Sequence, residues 1–294
     1  MRLLITGASG FLGGHLLSYL GTIPEVTPIL LSRSPHPGSY MSVSFHSLSG
    51  GVDRILEKVS FDAVVHCAAL SDAYECEIHP QEAYAVNRDL SRELAEVAAS
   101  RKAPFCFIST DLVFDGSKPK EGGFVESDVP APLSQYARSK FEGEQAVNEA
   151  HPEALIFRSS LLYGPSLGGR GGFLGWIHSG LSAGEGVVLF EDEWRTPLFV
   201  QDLCKLIFEG VSTSKRGIYH CAGPKSLTRY EFGVLYANHF GFDQTLIKRG
   251  RRSEAGSIPS RPEDVSLSIH KILREFSTPP HSPVEAFSLM DEGA

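Results

Sequence analysis

Tyr136 and Lys140 stand four residues apart in Tyr136-Ala137-Arg138-Ser139-Lys140. On a helix that spacing puts both side chains on one face, so the Lys140 ammonium lies beside the Tyr136 hydroxyl. A free phenol titrates at about pH 10, too high for proton exchange at neutral pH, and an adjacent cation stabilises the phenolate and lowers that value. Tyr136 thereby becomes a usable acid or base. A second group of residues opens the chain: Leu3-Leu4-Ile5-Thr6-Gly7-Ala8-Ser9-Gly10-Phe11-Leu12-Gly13. Here Gly7 permits a tight turn, Gly10 lets backbone N–H groups approach a pyrophosphate at the positive end of a helix, and Gly13 allows close helix packing. The G-x-x-G-x-x-G spacing by itself reads equally as an ordinary glycine turn. Its place on the first strand, together with the Tyr/Lys pair, favours a dinucleotide.

The second strand ends Leu30-Leu31-Ser32-Arg33. A carboxylate at this point holds the ribose 2′-hydroxyl of NAD, whereas an arginine pairs with the 2′-phosphate of NADP. Ser32 and Arg33 occupy the place and no carboxylate does, which favours NADP(H) over NAD(H); the competing reading of Arg33 is a solvated loop charge. Further on, Ser109-Thr110-Asp111 ends another strand at the sheet edge where open α/β folds bind ligands. Thr110 there can hydrogen-bond a substrate carbonyl together with Tyr136. A Ser-Thr pair alone caps a turn or helix, and the downstream Tyr and Lys favour the functional role.

Positioning such groups requires strands that alternate with helices. Strand-like runs cover Leu3–Thr6, Ile29–Ser32, Val43–His46, Ala63–His66, Phe105–Ser109 and Leu155–Ser159. Helical patterns cover Phe11–Leu20, Asp53–Val59, Gln81–Ser100 and Gln135–Ala150, with Pro80 in the first turn of the helix that carries Asn87. This order predicts an α/β fold: a doubly wound parallel sheet followed by a smaller C-terminal α/β lobe. The expected division is a dinucleotide-binding domain over 1–162, joined by 198–221, and a substrate lobe over 163–197 and 222–294. Glycines 168, 169, 171 and 172 form a flexible stretch after Tyr163-Gly164-Pro165. A helix over Val200–Gly210, a strand over Ile218–Cys221 and a helix from near Ser226 follow.

Composition narrows the function classes. The 294 residues are 42% hydrophobic and 21% charged, with a formal net charge of -8, which argues against nucleic acid as partner. The basic cluster Lys248-Arg249-Gly250-Arg251-Arg252 and the acidic run Glu191-Asp192-Glu193 both read as solvated turns. Five scattered cysteines without C-x-x-C spacing indicate buried small side chains rather than disulfides or zinc. His66, His178 and His220 share no ligand spacing, so no metal is expected; His66 reads as a strand residue near the cofactor. The N-terminal apolar run is broken by glycines, unlike a signal peptide, and no stretch reaches the length of a membrane span. A cytoplasmic protein without membrane partners is expected, and a homodimer is compatible with this reading.

Taken together, the glycine loop, His66-Cys67-Ala68-Ala69, Val86-Asn87, Ser109-Thr110-Asp111-Leu112-Val113-Phe114-Asp115-Gly116, Pro130-Ala131-Pro132, Tyr136 to Lys140, Arg158 to Gly164 and Arg261-Pro262 resemble the extended short-chain dehydrogenase/reductase family. Within it, they resemble the dTDP-4-dehydrorhamnose reductase branch. The resemblance implies an NADPH-dependent reductase of a 4-keto nucleotide sugar, with Tyr136 as proton donor, Thr110 orienting it, and Lys140 lowering its pKa while holding the nicotinamide ribose. It further implies that Phe11 and Leu12 offer amides to the pyrophosphate, that Ala68 and Ala69 line the adenosine-ribose side and that Asn87 braces the site. Asp111, Trp176, Arg195 and Arg261 are candidates for substrate contact. The bland alternatives are a surface amide for Asn87, a core position for Trp176 and a structural Arg-Thr-Pro turn for Arg195. Two other functions share these motifs. One is a non-catalytic NADP-binding subunit resembling the regulatory subunit of methionine adenosyltransferase. The other is a nucleotide-sugar epimerase, whose usage Phe11-Leu12 matches.

Overall fold

The computed structural model describes residues 1–32, 41–44, 51–117, 122–167, 169, 171–256 and 259–292. Its first half runs β1 Arg2–Thr6, α1 Phe11–Leu20, β2 Thr27–Ser32, β3 Met41–Ser44, α2 Val52–Leu56, β4 Ala63–His66, α3 Ala73–Ile78 and α4 Pro80–Tyr84. A π-helical segment over Ala85–Asp89 leads into α5 Leu90–Ser100, then β5 Phe105–Thr110, α6 Gln135–Ala150 and β6 Leu155–Ser159. The remainder comprises β7 Leu162–Tyr163, α7 Gly172–Ser182, β8 Val187–Phe190, β9 Trp194–Arg195, β10 Leu198–Phe199, α8 Val200–Ser212 and β11 Gly217–Cys221. It closes with β12 Leu227–Thr228, α9 Arg229–Phe240, β13 Ile247–Gly250, α10 His270–Glu275 and α11 Pro283–Glu292.

Seven strands form one sheet in the order β11-β6-β5-β4-β1-β2-β3, and the pairings from β3 through β2, β1 and β4 to β5 are parallel. The strand order reverses between β1 and β4, which opens a crevice at their carboxyl ends. This is the expected doubly wound Rossmann architecture. Its strands are apolar without alternation because both faces are covered. On one face Leu4, Val64, Phe105 and Phe107 pack with Leu90, Leu94 and Ala98 of α5 and Val147 of α6. Residues of opposite parity, Leu3, Ile5, Val65 and Cys106, are equally buried.

Two compact units emerge: Met1–Ser109 with Gln135–Phe157 and Cys204–Tyr219, and Thr110–Ser134 with Arg158–Leu203 and His220–Ala294. The second has its own aromatic core, in which the Tyr163 ring meets Phe232 edge-on at 5.0 Å and Phe287 at 5.8 Å. Its helix α9 starts in a capping box, the Thr228 hydroxyl accepting from the Glu231 N–H while the Glu231 carboxylate accepts from the Thr228 N–H.

Several sequence expectations change. The helix expected over Gln81–Ser100 is interrupted by the π segment, because a one-residue insertion leaves the apolar periodicity nearly intact and escapes a pattern read from sequence. The helix expected over Asp53–Val59 runs Val52–Leu56. Lys248 to Gly250 are not a loop but part of β13, paired in parallel with β8. The expected strand Val43–His46 is described as Met41–Ser44, with 45 and 46 outside the described residues.

Candidate active site

In the first unit the turn after β1 can be built only from glycine. Gly7 has φ +71°, and a Cβ there would lie 2.6 Å from the Ala68 backbone nitrogen. A Cβ on Gly13 would lie 2.2 Å from the Gly7 carbonyl oxygen. Gly10 is the exposed N-cap of α1 and no side chain caps the helix, which leaves its first N–H groups, those of Phe11 and Leu12 among them, without an intrahelical acceptor. An uncapped helix start next to a backbone turn fits a pyrophosphate. Ser32 ends β2 half-buried, while Arg33 lies outside the described residues.

Below the turn, a buried hydrogen-bond chain ties three segments together. The Ser91 hydroxyl donates to the Asn87 carbonyl (2.9 Å), so its oxygen accepts from His66 Nε2 (2.9 Å). His66 Nδ1 then accepts from the Thr6 hydroxyl (2.6 Å), whose oxygen accepts from the Ala68 N–H (3.1 Å). Every donor is used once, which assigns a neutral His66 carrying its proton on Nε2. Burial, and then the Lys140 charge, lower its pKa to about 3. Ala68 and Ala69 are half-buried at the mouth of this turn.

Asn87 is fully buried within the π segment. Its Oδ1 accepts from the Leu70 N–H (2.9 Å), and its Nδ2 donates to the Leu70 carbonyl (3.0 Å) and to Ser139 Oγ (2.9 Å). The Ser139 hydroxyl donates in turn to the Tyr136 carbonyl (2.8 Å). One amide thus links the loop after β4 to the first turn of α6. Tyr136 is half-buried there, and one turn on Lys140 is buried with its ammonium 4.0 Å from the Phe107 ring centroid. Burial lowers the Lys140 pKa to about 7, against the raising influence of Glu144. Glu144, another turn along, is 3% exposed and accepts the Ser109 hydroxyl at 2.5 Å.

In the second unit Thr110 donates to Asp111 Oδ1 (3.2 Å) and accepts from the Leu112 N–H (3.2 Å), so its hydroxyl caps the short turn that follows. Asp111 is fully buried. Arg195 clasps it with two hydrogen bonds, Nε to Oδ2 at 2.7 Å and Nη2 to Oδ1 at 2.5 Å, and Ser160 donates to Oδ2 at 2.9 Å. Glu193, expected in a solvated acidic turn, is instead buried among Arg229 (2.7 Å), Arg261 (3.5 Å) and Arg195 (3.6 Å). Burial raises its pKa, and the attraction of Arg229, Arg195 and Arg261 outweighs that and holds the carboxyl below its ordinary range. The side chain of Arg261 keeps 39% exposure with its guanidinium 5.4 Å from the Phe190 ring. Trp176 is not in the core: it lies on α7 with 53% exposure, 6.1 Å from Phe173. No group of three or more potential metal ligands exists among the described residues.

The model of the RmlD substrate binding domain family matches residues 1–290. The chain belongs to the RmlD family. A probable low-salt glycan biosynthesis reductase of Haloferax volcanii is 32% identical over 94% of this chain and 92% of its own length. Methionine adenosyltransferase 2 subunit beta of Xenopus tropicalis is 27% identical over 92% of this chain and 81% of that protein. Among solved structures, the dTDP-4-dehydrorhamnose reductase of Bacillus anthracis in complex with NADP superposes with a TM-score of 0.83 at 26% identity, covering 100% of this chain and 99% of that one.

Sequence reasoning assigned no role to several polar residues of this RmlD chain, Ser91, Ser139, Glu144, Ser160 and Arg229, and it misjudged the surroundings of Glu193. Glu144 did leave a signal, since it stands four residues beyond Lys140 and so extends the buried face of α6 with a carboxylate.

Proposed function

We propose that the protein is an NADPH-dependent reductase of a 4-keto nucleotide sugar, like the dTDP-4-dehydrorhamnose reductases. The observation that carries this reading is a lysine buried one helical turn from Tyr136 and held over an aromatic ring in the unit that bears the glycine turn. The backbone of Gly7 to Gly13 would hold the pyrophosphate of NADPH, with Ala68 and Ala69 on its ribose side and Ser32 in place of a carboxylate, and the cofactor when bound would supply the hydride. Tyr136 gives its phenolic proton to the carbonyl oxygen as that oxygen gains charge. Lys140 stabilises the phenolate left behind, and Thr110 orients the carbonyl. Asn87 fixes the first turn of α6 through Ser139. Arg261, partly exposed, is the contact assigned to the diphosphate, and Trp176 is a stacking surface for the substrate. Asp111 and Arg195 serve as an internal brace next to Thr110, because their polar atoms are directed at each other.

NADPH consumption with a dTDP-4-keto-6-deoxy sugar tests the reading. Tyr136→Phe is expected to lower turnover about a hundredfold or more with NADPH affinity retained; equal rates in the variant defeat the assignment. Similarity to the methionine adenosyltransferase subunit favours a second reading, an NADP-binding accessory subunit. Tight NADP binding without turnover on a panel of keto nucleotide sugars would select it.

A further inference from the structure

The reductase reading leaves Glu144 without a task, yet a buried carboxylate is costly. An amide in its place would accept the Ser109 hydroxyl equally well without burying a charge. What the carboxylate adds is negative charge, one helical turn from Lys140 on the same face of α6.

The surroundings of Lys140 show why that charge matters. From β4 and its end come His66, neutral in its hydrogen-bond chain, and Cys67, whose thiol burial pushes up to about 12. From β5 comes the Phe107 ring, 4.0 Å away, and from α6 come Tyr136 and Glu144. Of these groups, Glu144 is the carboxylate whose attraction raises the Lys140 pKa, and the Ser109 hydroxyl at the end of β5 anchors it at 2.5 Å.

We propose that Glu144 is a positioning residue: its buried carboxylate, anchored by Ser109, keeps the Lys140 ammonium charged so that Lys140 can act on Tyr136. The proposal rests on the reading of Tyr136 and Lys140 as the acid–base pair. Desolvation already brings Lys140 to about 7, so a lost anion leaves it largely neutral at working pH.

The test follows the titration of Lys140 without substrate, through its ε-carbon resonance in protein labelled with [ε-13C]lysine and assigned by its loss in Lys140→Met. In Glu144→Gln the midpoint should fall by about one pH unit or more, whereas Glu144→Asp, which keeps the charge, should stay near the parent protein. An unchanged midpoint in Glu144→Gln overturns the proposal, whatever the protein's substrate proves to be. Turnover supplies an independent check: the deficit of Glu144→Gln relative to the parent should widen from pH 6 to pH 8, and a loss uniform in pH would mean a packing role and sink the idea. Should Glu144→Gln fail to fold, Ser109→Ala replaces it. Without its anchor the carboxylate is no longer held in place on the Lys140 face of α6, so the Lys140 midpoint should move the same way by a smaller amount, and an unmoved midpoint is again fatal.

Discussion

At the scale of single residues, buried charge is the dominant theme. Lys140, Glu144, Asp111, Arg195 and Glu193 all lie within the protein, and each faces at least one opposite charge or a hydrogen-bond donor. Such arrangements tolerate the loss of both partners far better than the loss of one. Replacing Arg195 by Met should therefore strand Asp111 and destabilise the protein by about 3–5 kcal/mol, while adding Asp111→Asn should recover part of that loss. Chemical denaturation of the two variants checks this, and equal stability of parent and single variant would refute it. Asp111 and Arg195 were each recognisable in the sequence as polar groups near the chemistry. That they hold each other was not, because 84 residues separate them and only folding brings them together.

At the scale of elements, α6 carries Tyr136 and Lys140, and its seating depends on Gly143. A Cβ at this position would stand 2.2 Å from the Asn87 carbonyl oxygen and 3.1 Å from the Phe107 ring. Glycine lets α6 lie directly against the π segment, where Asn87 reaches Ser139 and through it the Tyr136 carbonyl. Gly143→Ala should push the two elements apart, costing about 1–3 kcal/mol. It should also lower turnover more than NADPH binding, since the turn at Gly7 is untouched; thermal melting and cofactor titration measure the two effects. The span of α6 was fully legible, Gln135–Ala150 by pattern and by structure. The helix carrying Asn87 was legible in extent only: the π segment that buries Asn87 answers to packing against α6, not to local periodicity.

Across the whole molecule, two buried neutral histidines couple stability to pH. His66 belongs to the first unit, and His220, which meets the Phe124 carbonyl through Nδ1 at 3.0 Å, to the second. Burial comes first in depressing both, followed by Lys140 for His66 and Arg158 for His220, and each falls from 6.5 to about 3. The unfolded chain therefore takes up protons first as pH drops. Stability is complete above about pH 6.5 and is lost as pH falls toward 3, by about 2 kcal/mol for each histidine at pH 5. Urea unfolding between pH 7 and pH 5 should show this slope, flattened in His66→Asn; a flat profile in the parent protein would contradict it.

The amino-acid order by itself determined the alternation of apolar strands and amphipathic helices, the glycine turn and the Tyr136/Lys140 spacing. Each of these is set by neighbours within a few residues, whose periodicity and backbone freedom do not depend on the rest of the chain. Only the tertiary structure decided which polar groups are buried and what they face: Glu193 among three arginines rather than in solvent, Asn87 inside rather than on a surface, and Glu144 behind Lys140. Burial and charge pairing arise from segments distant in the chain, and the free energy of a charged or polar group is fixed by those surroundings, not by its type.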